Sequence, residues 1–335
     1  MKKQLQQLIG KQTLSQQEAE CLLTEIGEGK HNTSQIAALL SIIAYRGITP
    51  DELAGFRDAL LSLCVQPEID GSNLIDIVGT GGDGKDTFNI STTSSFVVAG
   101  AGYQVAKHGN HGVSSSVGSS TVLEYLGIRF SNKKDFLTKV LDQAGVCFFH
   151  APLFHPAMKH VGPARKELGV KTFFNMLGPL VNPIQPQYNL LGTYNLEVAK
   201  LYQETLLGTG KNYTVVHALD GYDEVSLTGN TQTIAATGTK ELTPSDFGLS
   251  QLKQSDLYGG GNVEESAKLF LSVLANESTQ AQQEVVLANA GLAIFTRHKE
   301  QKSLTDCVEE ARVSIVSGKA KQVFEKLLGL SKNRN

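Results

Sequence analysis

No stretch of this chain approaches the roughly 18 consecutive apolar residues that mark a membrane-spanning helix. The opening Met1-Lys-Lys-Gln-Leu-Gln-Gln-Leu-Ile-Gly10 lacks the apolar core of a secretory signal. Charge of one sign is equally scarce, with 30 Lys and Arg standing against 33 Asp and Glu. The net charge of −3 therefore offers no basic surface for nucleic acid or an anionic membrane. The four cysteines, Cys21, Cys64, Cys147 and Cys307, are far apart and show neither CxxC nor Cys/His metal spacing. They read as free thiols of a reducing compartment. Internal repeats and low-complexity linkers are absent too. These absences leave the expectation of a soluble, cytoplasmic protein with no nucleic acid and no membrane among its partners. If such a chain handles a polyanion, it must gather positive charge locally or borrow it from a metal.

What is present divides by periodicity. With 335 residues the chain has room for two domains. The first 65 or so read as helices only. Ser15–Glu18 is a capping box opening a helix through about Ile26, and Asn32–Gln35 opens another with Ile36, Leu39, Leu40, Ile43 and Ala44 on one face. Thr49-Pro50-Asp51-Glu52 combines a capping Thr, Pro at the first helical position and a reciprocal Glu. The character changes at Asn73. Strand patterns at 74–78, 104–107, 146–149, 188–194, 214–219 and 231–236 alternate with helical ones, including 90–101 and 121–126, and the chain from about Asn262 is mostly helical. Strands alternating with helices predict a mainly parallel sheet covered by helices. The expected fold is α/β: a small N-terminal all-helical domain, 1–69, and a large α/β domain, 70–335, with a central, mainly parallel sheet.

Three loops carry the chemistry. Gly79-Thr80-Gly81-Gly82-Asp83-Gly84 follows a strand and precedes a helix, the setting in which backbone N–H groups bind phosphate. The loop also matches GxGxxG, but a dinucleotide site needs an acidic residue about 20 residues on. Here the second strand ends in Lys107, and Asp83 inside the loop would repel a bare diphosphate. Asp83 makes sense if the ligand offers hydroxyls or a metal. Just beyond, Thr87, Asn89, Ser91 and Thr92 cluster at a helix start, where they also form an ordinary capping sequence. The second loop, Lys107 to Ser120, combines a cation, His108 and His111 with glycines and serines suited to phosphate oxygens, or simply makes a flexible surface loop. In the third, Asp223 and Glu224 after the 214–219 strand suit Mg2+, with Ser91 a plausible further contact, although an acidic surface turn has the same composition.

Together with His155–His160, Arg165 and Asn175-Met-Leu-Gly-Pro-Leu-Val-Asn-Pro183, these loops resemble the anthranilate phosphoribosyltransferase family of tryptophan biosynthesis, over essentially the whole chain. The resemblance implies a glycosyltransferase using 5-phosphoribosyl 1-diphosphate (PRPP) and anthranilate. Gly79, Gly82, Asp83, Thr87, Asn89, Ile90, Ser91, Thr92, Lys107, Ser115 and Ser119 would then bind PRPP. Two Mg2+ ions would be handled by Ser91, Asp223 and Glu224. Gly79, Asn110 and Arg165 would contact anthranilate, with His108 and Pro179 lining its channel. A helical domain completed by a segment near 163–186 and a homodimer through that domain are further implications. One position departs from the family: His111 stands where arginine is common, so a permanent charge becomes one that fades above about pH 6.5.

The implied reaction displaces diphosphate from the anomeric carbon by an aromatic amine, whose lone pair is free at neutral pH. No catalytic acid or base is expected, only positioning and electrostatics. Crossings near Asn73, Leu153 and Pro183 are expected to act as hinges that close the cleft. Two other readings are a pyrimidine nucleoside phosphorylase, whose chains are typically longer, and a non-catalytic relative that binds nucleic acid.

Overall fold

A computed structural model describes residues 1–112, 117–299 and 301–332. Four helices open the chain: α1 (Lys2–Ile9), α2 (Gln16–Gly27), α3 (Thr33–Arg46) and α4 (Pro50–Ser62). The three capping boxes read from the sequence all form, at Ser15/Glu18, Asn32/Gln35 and Thr49/Glu52. Glu52 does more than cap. It is fully buried, accepts from the Leu14 N–H at 2.9 Å, and takes both oxygens to Arg46 at 2.8 and 2.9 Å. A buried carboxylate is tolerable when its lone pairs are satisfied in this way. The sequence reading missed α1, which has no side-chain cap to announce it. Ala44 is exposed, because it lies roughly a quarter turn from the centre of the Ile36–Ile43 stripe.

The sheet has seven strands in the order β3-β2-β1-β4-β5-β6-β7: β1 (Ile75–Gly79), β2 (Val105–Gly109), β3 (Val146–His150), β4 (Tyr188–Gly192), β5 (Asn212–Ala218), β6 (Thr231–Ala235) and β7 (Gly238–Leu242). The first five in that order are parallel, and β6 and β7 are antiparallel. The sheet is therefore mainly parallel, as expected. β7, absent from the sequence reading, is an edge strand whose first four residues are exposed. Edge strands need no apolar alternation, so this one left no hydrophobic signal. The strand expected over 188–194 ends at Gly192, and the one expected over 104–107 runs instead to Gly109.

Two apolar cores flank the sheet. One gathers α5 (Ile90–Gly100), α6 (Ser119–Tyr125), α7 (Lys134–Ala144) and the C-terminal helices. The other joins α1–α4 to Val161, Ala164, Phe173, Phe174, Leu177, Leu180 and Val181, and continues onto β4 and β5. Phe56 of α4 stacks on Phe173 with ring centroids 4.4 Å apart. The strand order reverses between β1 and β4, and in parallel sheets such a switch point opens a crevice at the strands' C-terminal ends.

Candidate active site

That crevice is a cleft of about 750 Å³. Its walls include Gly79, Gly82, Asp83, Thr87, Asn89, Ser91, Thr92, Lys107, His108, Asn110, Ser119, Arg165, Pro179, Asp223 and Glu224. Residues read from loops spread over nearly 150 positions thus converge on one cavity. One described candidate falls elsewhere. Ile90 is not on the wall: its side chain is fully buried in the core and its N–H donates to the Phe88 carbonyl at 2.6 Å. Ser115 lies outside the described residues.

The floor is built by close approach. Gly79 and Gly192 are paired in register at the ends of β1 and β4. A Cβ on Gly79 would lie 2.3 Å from Asp223 Oδ2, and one on Gly192 would lie 1.7 Å from the Asp223 carbonyl oxygen. Only glycine lets the turn after β5 settle onto the switch point. There Asp223 Oδ2 accepts from the Gly81 N–H at 2.6 Å, and Glu224 Oε1 accepts from the Ser91 N–H at 3.1 Å. Two N–H groups expected to face phosphate thus hold carboxylates instead. Gly81, Gly82 and Gly84 all take positive φ, which gives the loop its sharp path.

The electrostatics of the floor are unbalanced. Burial, then repulsion from Asp83, raises the Asp223 carboxyl well above the usual range. Burial, then Asp223 and Asp83, does the same to Glu224. Glu224 Oε2 is buried with no hydrogen-bond partner. Lys107 is buried beneath them, its Nζ donating to the Ile77 carbonyl at 2.5 Å and to Ser91 Oγ at 3.4 Å. Burial lowers its pKa, and Asp76, Glu224 and Asp223 pull it back up. An orphaned carboxylate oxygen among mutually repelling carboxylates is a donor set that suits a hard divalent cation.

The far end of the cleft is different in character. His108 donates its Nδ1–H to the Gly178 carbonyl at 3.0 Å, which leaves buried Nε2 a bare lone pair. Burial, aided by His155, pushes its pKa down to about 3, so the ring is neutral. His155 packs edge-on against it at 5.4 Å, bonded through Nε2 to the Val181 carbonyl. The Arg165 guanidinium sits 5.2 Å over the Phe174 ring, half-buried, and pairs with no carboxylate among the described residues. An apolar slot ending in an unpaired guanidinium is shaped for a flat aromatic carboxylate.

Known proteins share this fold. Residues 71–321 match the glycosyl transferase family, a/b domain, and residues 2–64 match the glycosyl transferase family, helical bundle domain. A curated relative from Christiangramia forsetii, named anthranilate phosphoribosyltransferase, is 55% identical over 333 residues, covering 99% of this chain and 100% of its own. The chain belongs to the anthranilate phosphoribosyltransferase family. The crystal structure of the Thermus thermophilus anthranilate phosphoribosyltransferase superposes with a TM-score of 0.91 at 34% identity, covering 98% of this chain and 99% of that one. The Saccharomyces cerevisiae anthranilate phosphoribosyltransferase, solved in complex with PRPP and Mg, gives 0.90 at 25% identity, covering 98% and 97%.

Seen as a member of the anthranilate phosphoribosyltransferase family, the chain has site residues that its sequence alone did not single out. Asp76 is fully buried in β1, accepting from the His108 N–H at 3.1 Å and from Asn182 Nδ2 at 2.8 Å. Burial pushes its pKa up to about 6, against the pull of Lys107. It couples β1 to the second loop from below. The available signal was a charge in the middle of the apolar run 74–78. Gly192 was also passed over, although an isolated glycine within a strand marks a close backbone approach.

Proposed function

We propose that this chain transfers the phosphoribosyl group of PRPP to the amine of anthranilate, releasing diphosphate, in L-tryptophan biosynthesis. What carries the reading is the pairing, in one cleft, of a carboxylate floor with an orphaned oxygen and an apolar slot that ends in unpaired Arg165. Asp223, Glu224 and Ser91 would hold Mg2+, two ions per site on this reading. Mg2+, when bound, supplies positive charge against the negative charge that builds on the departing diphosphate.

The chain's own residues do the rest. The Gly79–Gly84 turn and the start of α5, with Thr87, Asn89 and Thr92, cradle the ribose phosphate and diphosphate; Thr92 Oγ1 and Asn89 Oδ1 are buried without hydrogen-bond partners among the described residues. Lys107 acts from below as a fixed charge rather than as a mobile arm. Arg165 grips the anthranilate carboxylate, while His108 and Pro179 hold the ring flat. The amine nitrogen attacks the anomeric carbon as the bond to diphosphate oxygen breaks, and the resulting aryl ammonium loses its proton to water. Holding both substrates makes the step effectively intramolecular. Ile9 and Tyr45, 70% and 95% exposed on α1 and α3, support a homodimer through the helical domain, and the reaction is assigned to the cytoplasm.

The test is loss of anthranilate fluorescence with PRPP, run with Mg2+ and again with EDTA. Metal-dependent loss with one diphosphate released per anthranilate is the expected result. Folded protein that leaves anthranilate untouched but cleaves a pyrimidine nucleoside with phosphate would replace the reading.

A further inference from the structure

On the wall of the cleft at His111, and apart from its carboxylate floor, stands a second set of metal-ligating side chains. His111, Glu124 and His150 each offer one ligand atom, and these atoms lie within 4.8 Å of one another. They come from three different elements: the loop after β2, helix α6 and the last residue of β3. We propose that they form a transition-metal site of two imidazoles and one carboxylate, taking Zn2+ in preference to Mg2+.

The chemistry of the donors sets that preference. Mg2+ takes oxygen ligands and keeps its waters, whereas imidazole favours zinc and its neighbours. Three protein ligands leave a fourth position for water, as in open zinc sites. A tetrahedral centre with bonds near 2.0 Å needs donors roughly 3.3 Å apart. His111 Nε2 and Glu124 Oε2 are already 3.8 Å apart, and both side chains are about half exposed and free to turn inward.

The surroundings orient the rings. His150 Nδ1 lies 2.8 Å from Ser120 Oγ, and its ring stacks on Phe130 with centroids 4.7 Å apart. His111 Nδ1 lies 3.4 Å from Thr121 Oγ1, so Nε2 is the nitrogen turned toward Glu124. Ser120 and Thr121 stand four and three residues before Glu124 on α6, so each neighbours Glu124 on the helix surface. Outer hydroxyls that fix imidazole orientation are a regular feature of metal sites. The two rings meet edge-on at 5.0 Å with an interplanar angle of 80°, and one ligand nitrogen of each lies within 4.8 Å of the other and of the Glu124 carboxylate. Burial, aided by His111, keeps His150 neutral with its pKa down at about 4, so a lone pair is available for metal.

Occupancy would tie the cleft's second loop to α6 and β3. The His111 N–H donates to Asn110 Oδ1 at 2.8 Å, and the Asn110 carbonyl accepts from the Ser120 N–H at 3.2 Å. A metal on His111 thereby pins the orientation of Asn110, which lines the cleft.

The test is titration of the full-length protein with Co2+ in saturating Mg2+, reading the visible absorption of four- or five-coordinate cobalt, then displacing it with Zn2+. One equivalent per chain is expected. Glu124→Gln and His150→Gln should each weaken it at least tenfold, and Ser120→Ala about tenfold. Glu124→Gln changes a half-exposed side chain by one atom, so an unchanged melting temperature will certify its fold. Asp223→Asn with Glu224→Gln should leave the band intact. No band, a band indifferent to Glu124→Gln and His150→Gln, or a band lost with the floor carboxylates overturns the proposal.

Discussion

Gly192→Ala is the substitution that most directly tests how the floor is held. The added Cβ would lie 1.7 Å from the Asp223 carbonyl oxygen, and a real Cβ essentially never comes within 3.0 Å of a heavy atom, so about 1.3 Å must be found. β4 cannot supply it, being paired along its whole length with β1 on one side and β5 on the other. The Thr80 N–H also donates to the Gly192 carbonyl at 3.0 Å, and the Thr193 N–H to that of Val216 at 2.9 Å. The turn carrying Asp223 and Glu224 must therefore lift away, breaking the 2.6 Å bond from the Gly81 N–H. A misplacement of about 1 Å at a reacting centre costs on the order of 100-fold in rate, or about 2.7 kcal/mol. Overpacking should also lower stability by about 1–3 kcal/mol. The assay is kcat/KM from anthranilate fluorescence over a Mg2+ titration, beside thermal unfolding. Gly329→Ala serves as control. It lies in the helix Lys319–Lys332 with nothing within 4 Å of the added Cβ, so activity should hold and stability should rise by up to about 1 kcal/mol. Wild-type turnover and Mg2+ dependence in Gly192→Ala would refute the argument that this glycine seats the carboxylates.

Arg165→Ala should raise the anthranilate KM about 10- to 100-fold, the worth of a charged hydrogen bond, and leave the PRPP KM within about twofold; an unchanged anthranilate KM removes Arg165 from the site. Asp223→Asn with Glu224→Gln should abolish Mg2+-dependent turnover and yet raise the metal-free melting temperature, because each carboxyl and Asp83 now repel one another; a lower melting temperature would contradict that account of the floor. For His155 the sign follows from burial, which depresses its folded pKa to about 4 from an unfolded 6.5. Its contribution is whole above pH 6.5 and is lost as pH falls toward 4, at up to about 1.4 kcal/mol per pH unit. The stability difference between wild type and His155→Gln, from urea unfolding at pH 7.5 and 5.5, should therefore move by about 1.4 kcal/mol in favour of the variant, and a constant difference would mean that His155 protonates freely in the folded state.

The parts of this molecule that were legible in its sequence are those decided by neighbours in the chain. Thr49-Pro50-Asp51-Glu52 specifies a helix start by local geometry alone, and the capping box forms as read. The alternation of strand and helix from Asn73 onward foretold a parallel sheet because each crossover needs its helix. The loops Gly79–Gly84, Lys107–Ser119 and Asp223-Glu224 could be recognised by composition, and the fold gathers their described candidates, Ile90 apart, around one cleft. Whatever depends on partners distant in sequence was hidden. α1 has meaning only against the other helices, while β7, an exposed edge strand, carries no apolar alternation of its own. Lys107 reads as a cation free to meet phosphate, yet its ammonium is spent on the Ile77 carbonyl, a fact belonging to β1. His111 reads as a weakened substitute for arginine, but its structural partners are Glu124 and His150.

Asp76 shows why the hidden part bears on function. The floor brings Asp76, Asp223 and Glu224 near Lys107, with Asp83 against the latter two, and burial acts against the charge of three of the four carboxyls. A chain selected for stability alone would not bury such a set, because unmatched carboxylates in a low dielectric resist ionisation. Asp76 and Asn182 tie the second loop to β1 through the His108 N–H and the Ala106 carbonyl, so the loop cannot drift to relieve the repulsion. The strain is thus fixed in place, and what relieves it is added positive charge at the unpartnered Glu224 oxygen. On the proposed function, affinity for a divalent cation is a property of the whole floor, with Asp223 and Glu224 on the cleft wall and Asp76 as the anchor that keeps it from relaxing.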